Sequence, residues 1–177
     1  MNIRHFGTFS PVLDPSAYID SQCSIIGQVT LGARSSVWPM AVIRGDVNYI
    51  RIGSETNVQD GAILHVTHAG SFTSPTGTPL IIGNQVTIGH GAVLHACTIG
   101  DRCLIGMNAT VLDGTVIEAE SMIAAGSLVP PGKHLEGGYL WAGNPARKAR
   151  PLTTREREYL AYSAEHYTKL ADSFKAS

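Results

Sequence analysis

Charge is scarce in this chain: only 15% of its 177 residues are Asp, Glu, Lys or Arg. So little charge fits a surface of short strands and turns rather than long solvated helices. The 13 basic and 14 acidic residues are spread along the chain and leave a net charge of −1. No basic stripe is available for a phosphate backbone or an anionic lipid surface, so neither nucleic acid nor membrane is an expected partner. Nowhere do 18 apolar residues follow one another, which excludes a membrane-spanning helix. Residues 1–11 hold no apolar stretch of signal-peptide length, and a cytoplasmic protein is expected. Cys23, Cys97 and Cys103 lack the paired spacing of a disulfide framework or a zinc ribbon and read as small buried side chains.

What the chain does have is a six-residue rule. An aliphatic residue returns at Ile82, Ile88, Leu94, Ile99, Ile105, Val111, Ile117, Ile123 and Val129, and only the block at Leu94 is one residue short. Ile19, Ile25, Leu31, Val37 and Ile43 obey the same rule, which slips by three before Ile52, Val58 and Leu64. A phase held this long predicts an all-β parallel β-helix, in which each repeat buries its aliphatic residue against its neighbours. Residues 69–79 break the phase with Gly, Ser, Thr and Pro and predict a loop. Residues 1–15 read as irregular or a short edge strand, and the glycines at 137, 138 and 143 as the end of the coil. Thr153 to Glu156 is a capping-box pattern, after which Leu160, Ala164, Tyr167, Ala171 and Phe174 recur at helical steps. The reading is a β-helix domain over 1–151 with a loop excursion at 69–80, then a C-terminal segment over 152–177 whose helix, 154–173, lies along the coil.

His65 and His95 each follow a phase-setting leucine and lie 30 residues apart. If the loop is an excursion of about two blocks, roughly 18 residues remain, one three-sided coil, and the two histidines stack at about 4.8 Å. Two imidazoles so placed can converge on one ion. His90 sits one block earlier, around a corner, and reaches that ion only from a neighbouring subunit, which argues for a cyclic trimer with metal at each interface. Any one of these histidines alone reads more readily as a surface residue or a satisfied structural histidine. His68, at the loop root, reads as a ligand, a proton relay or a loop anchor.

The ordered set Ile43-Arg44-Gly45-Asp46, Asn57-Val58-Gln59-Asp60, Leu64-His65, Gly89-His90 through His95, and Ala142-Gly143-Asn144-Pro145-Ala146 resembles the gamma-class carbonic anhydrase-like family of hexapeptide-repeat proteins, over roughly residues 12–174. That resemblance implies a left-handed coil, whereas the usual preference of strand crossovers gives the other hand. It further implies a homotrimer with one divalent metal per subunit at the interface, zinc foremost with iron or cobalt as alternatives, held by His65, His90 and His95. The implied activity is reversible hydration of CO2 to bicarbonate by a metal-bound hydroxide, weak or latent in this chain. Gln59 would orient the water or bicarbonate, Asn57 would lie near the substrate, Arg44 would pair across the subunit boundary with Asp60, and Asp46 would brace that interface.

The chain departs from the family pattern in its acids. Familiar members carry a glutamate directly after Arg-Gly-Asp and another in an acidic loop. Here Val47 takes the first place and residues 69–79 contain no acid, leaving His68 as the nearby proton carrier. Two other readings stay open: a hexapeptide-repeat acyltransferase or thioesterase acting on CoA thioesters with His90 or His95 as base, and a non-catalytic trimeric metal-binding scaffold.

Overall fold

The computed structural model describes residues 2–176, and in it the six-residue rule becomes a three-sided coil. One side stacks Val42–Ile52, Ile63–His65, Val93–His95, Thr110–Val111 and Leu128–Val129, and a second stacks Val42–Ile52, Leu80–Ile82, Thr98–Ile99, Val116–Ile117 and His134–Leu135. Because Val42–Ile52 runs round the corner, both sides belong to one 12-stranded sheet. The third side is a separate sheet, running from Tyr18–Ile19 through Ser36–Val37, Asn57–Val58, Thr87–Ile88, Leu104–Ile105 and Met122–Ile123 to Tyr139–Gly143. These pairings along the coil are parallel, and the expected β-helix with a C-terminal helix is the fold observed.

Register explains the periodicity. Leu64 pairs with Leu94 and Leu94 with Val111, while Ile82, Ile99 and Ile117 form a second column and Val58, Ile88 and Ile105 a third. These residues are at most 2% exposed, and burying each such side chain is worth about 1.5–3 kcal/mol. Corners need a left-handed residue at the same phase. Arg102, Asn108, Gly114, Glu120, Gly126 and Gly132 supply it with φ between 51° and 67°. The five-residue step from Gly91 to Ala96 in that series is the short block.

The three-residue slip is absorbed where Ser24–Leu31 meets Val42–Ile52, with a register shift between Gly27 and Val29. Gly27 has φ 77°, and a Cβ there would collide with the Gly45 carbonyl. Short edge strands form at Asn2–Arg4 and Val12–Leu13. The coil outlasts its expected end: Tyr139–Gly143 pairs in parallel with Met122–Ile123, then turns back as an antiparallel strand, Ala146–Pro151. An aliphatic rule misses that last turn because Trp141 stands opposite Ile123. The three cysteines are free and buried, and burial pushes the Cys103 thiol up to about 12.

The helix spans Thr154–Ala176, three residues beyond the expected end, and rests on the third side through Leu160, Ala164 and Ala171. Trp38 reaches out to meet Tyr167 and Phe174 at 5.6 and 5.2 Å between ring centres. Among the described residues no helix is long and apolar enough to cross a membrane. At the helix start Glu156 accepts from the Thr153 N–H at 2.9 Å, while Thr153 Oγ1 accepts from the Glu156 N–H at 3.2 Å. Arg150 grips the Glu156 carboxylate with two nitrogens, at 2.7 and 2.8 Å. That grip, with the Thr153 bonds, holds the Glu156 carboxyl down to about 2. A depressed acid stabilises the fold above its unfolded pKa, about 4.3, and loses that contribution as pH falls towards 2. Thermal melts of Glu156→Gln should therefore show a lowered Tm at pH 7 that converges on the unsubstituted protein near pH 2. A difference unchanged at pH 2 contradicts the pairing.

Candidate metal centre

On the first side, Ile63–His65 and Val93–His95 pair in register, so His65 and His95 are direct neighbours across adjacent coils. His65 Nδ1 lies 3.1 Å from His95 Nε2. Each ring's other nitrogen faces a carboxylate: His65 Nε2 lies 3.1 Å from Asp46 Oδ1, and His95 Nδ1 lies 2.6 Å from Asp113 Oδ1. Arg44 donates to the second oxygen of Asp46, and the Thr67 hydroxyl to the second oxygen of Asp113. Partial burial would raise both carboxyl pKa values, but these hydrogen bonds outweigh it and hold both below the usual range.

Ionised carboxylates only accept hydrogen bonds. The ring protons therefore sit on His65 Nε2 and His95 Nδ1, which leaves two lone pairs facing each other across 3.1 Å. Two acceptors that close repel unless a cation lies between them. Burial and then the Arg44 charge lower the His65 pKa against the opposing pull of Asp46. A tetrahedral metal with bonds of 2.0–2.1 Å spaces two nitrogen ligands by about 3.3 Å, close to the gap seen. The donor set thus fits two ligands of a divalent ion.

The other expected residues lie on the third side. His90 follows Thr87–Ile88, is exposed, and sets Nδ1 2.8 Å from Asp60 Oδ2. Gln59, 5% exposed, donates Nε2 to Asn57 Oδ1 at 2.9 Å, Asn57 donates to Thr87 Oγ1 at 3.1 Å, and Thr87 meets Ser163 of the helix at 2.9 Å. Gln59 and His90 line a groove of about 440 Å³ between this side and the helix, walled by Met107, Met122, Leu140 and Tyr159.

The sequence-derived site is thus two half-sites. His65, His95, Arg44 and Asp46 come together on one side, and His90, Gln59, Asn57 and Asp60 on another. Among the described residues no three His, Cys, Asp or Glu side chains are grouped to hold an ion within one chain. Arg44 pairs with Asp46 and Asp60 with His90 inside the chain, and no Arg44–Asp60 ion pair forms among the described residues. His68 is exposed at the loop root, where its carbonyl accepts from Thr73. Asp113 and Thr67 were not legible in the sequence. The short block at Leu94 puts Leu112, not Asp113, in the next place of the histidine column, and Asp113 reaches His95 from the corner beyond.

Known proteins share this fold. A family model described as bacterial transferase hexapeptide (six repeats) matches residues 96–131. Protein YrdA of Escherichia coli is 47% identical over 172 residues, covering 97% of this chain and 93% of that protein. A solved hexapeptide transferase family protein from Anaplasma phagocytophilum superposes with a TM-score of 0.90 at 40% identity, covering 98% of both chains. Gamma carbonic anhydrase 1, mitochondrial, of Arabidopsis thaliana is 46% identical over 167 residues, or 94% of this chain. The chain belongs to the hexapeptide-repeat family. It spans 60% of the length of that plant gamma carbonic anhydrase. Membership in the hexapeptide-repeat family accounts for the coil, and leaves activity to be argued from the side chains.

Proposed function

We propose that this protein is a carbonic anhydrase-like metalloenzyme that hydrates CO2 reversibly to bicarbonate. The observation that carries the reading is the 3.1 Å approach of His65 Nδ1 to His95 Nε2, with a carboxylate facing the other nitrogen of each ring. Those two histidines and His90 of an adjacent subunit would hold one divalent ion per subunit in a homotrimer, zinc foremost, with iron or cobalt as alternatives. Such an ion, when bound with an open coordination position, supplies Lewis acidity that brings the pKa of water from 15.7 to about 7.

The chain's own groups do the rest. Three neutral imidazoles leave the ion its full charge, and Asp46 and Asp113 fix the tautomers of two of them and keep them aimed. Gln59 spends one amide proton on Asn57 and keeps its oxygen to accept from a hydroxyl in the groove, orienting it without adding charge. Asn57 fixes that amide and would lie near the substrate. Arg44 would reach Asp60 of the neighbouring subunit on assembly, with Asp46 bracing the contact.

A second reading, hydrolysis or transfer at a CoA thioester, draws on the mainly apolar groove beside His90 and on the transferase family name of the Anaplasma protein. Metal analysis, CO2 hydration and thioester cleavage, all on one anaerobic preparation, separate the two. About one metal per subunit together with hydration supports the proposal. Thioester cleavage by metal-free protein without hydration overturns it.

A further inference from the structure

We infer that Asp113, anchored by Thr67, is a positioning residue that locks His95 in its Nδ1-protonated tautomer and so aims Nε2 at the cation site shared with His65. The inference rests on the metal reading above and deepens it. Asp113 stands one coil beyond His95, 18 residues on, just after the short Thr110–Val111 strand. Its two oxygens have separate tasks: Oδ1 takes the His95 Nδ1 proton at 2.6 Å, and Oδ2 takes the Thr67 hydroxyl proton. The imidazole is thereby held by two fixed points, the strand at Cβ and the carboxylate at Nδ1, leaving Nε2 only one direction.

Thr67 is itself pinned. Its N–H and C=O bond to Thr78 across the neck of the loop, at 3.0 Å each, and the Asn48 amide donates to its carbonyl at 3.2 Å. A chain of hydrogen bonds therefore joins the loop neck to a cation ligand, Asn48 to Thr67 to Asp113 to His95. His65 has a counterpart in Asp46, but the geometry is reversed. His65 gives its Nε2 proton to Asp46 and keeps Nδ1 free, while His95 gives its Nδ1 proton to Asp113 and keeps Nε2 free. The two carboxylates thus turn the two rings, tilted at 54° with centres 5.1 Å apart, so that their free nitrogens face one another.

The test compares Asp113→Ala and Asp113→Asn with the unsubstituted trimer in three readouts: zinc affinity by chelator competition, the His95 tautomer in metal-free protein by 15N NMR, and Tm. Losing a carboxylate behind a histidine ligand typically costs 10–100-fold in metal affinity. Asp113→Ala is expected to lose that much and to show His95 in mixed tautomers. Asp113→Asn, whose amide oxygen still accepts from Nδ1, should keep the tautomer and fall between. If Asp113→Ala lowers Tm but leaves zinc affinity and tautomer unchanged, Asp113 is merely structural and the inference fails. If the unsubstituted protein takes up no zinc, the metal reading fails, and the tautomer ratio alone still decides whether Asp113 positions His95. Should Asp113→Ala fail to fold, Thr67→Val, which frees Asp Oδ2 while leaving the carboxylate, is expected to weaken zinc binding several-fold, and an unchanged affinity counts against the role.

Discussion

His65→Ala, His90→Ala and His95→Ala are each expected to lose the bound metal, from about one per subunit to none after dialysis, while His134→Ala keeps it. The magnitude follows from coordination. Three imidazoles with one open position are one arrangement by which proteins hold catalytic zinc, and removing one ring leaves the ion a ligand short of that set. Folding should survive all three substitutions, because the side chains of His65, His90 and His95 lie outside the aliphatic columns. His134, by contrast, is an exposed residue whose Nε2 lies 2.7 Å from Glu118, with no second histidine at hand. Metal counted by mass spectrometry in each folded variant checks this. Full occupancy in the His90 variant would show that the ion does not need that ring.

Carbon dioxide hydration should be slow in dilute non-imidazole buffer, rise about tenfold or more with added imidazole, and fall further in His68→Ala. The reason is proton traffic. A water acidified to a pKa near 7 must pass its proton to bulk buffer, and a positioned acid–base group of similar pKa is worth about 10²–10⁴-fold in rate. Val47, 45% exposed, stands in the structure where the family pattern has a glutamate beside Arg-Gly-Asp, and the loop over 69–79 holds no acid. His68, exposed at the root of that loop, would be the carrier on this proposal, with free imidazole as its substitute. Stopped-flow hydration across a buffer series reads both effects. Fast turnover without imidazole, matched by His68→Ala, contradicts the relay.

Much of this molecule could be read before it was seen, because its rule is one-dimensional. Ile88, Ile105 and Ile123 announce their column through spacing alone, and coil register then puts His65 beside His95. The loop did not hide that register, since an excursion of two blocks leaves the coil in phase. What escaped were features that spacing does not encode. Trp141 fills the last column with an aromatic ring, so an aliphatic rule ends the coil early. Asp113 reaches its histidine from a corner, displaced by a block one residue short. The partnering of Asp46 with His65 depends on side-chain direction rather than on position in the repeat. The groove beside His90 exists only because the helix that begins at Thr154, 64 residues later in the chain, lies across the third side.

On the proposed function each cation site would be shared between subunits, with His65 and His95 from one chain and His90 from the next. Co-refolding His90→Ala with His95→Ala subunits in equal amounts tests it most directly. In a cyclic trimer every mixed assembly contains one junction where an intact His65/His95 pair meets an intact His90, so random mixing should restore about a quarter of the full metal content. Each variant refolded alone should bind none. Metal content that stays at zero in the mixture, with mixed trimers confirmed by native mass spectrometry, would contradict the shared site.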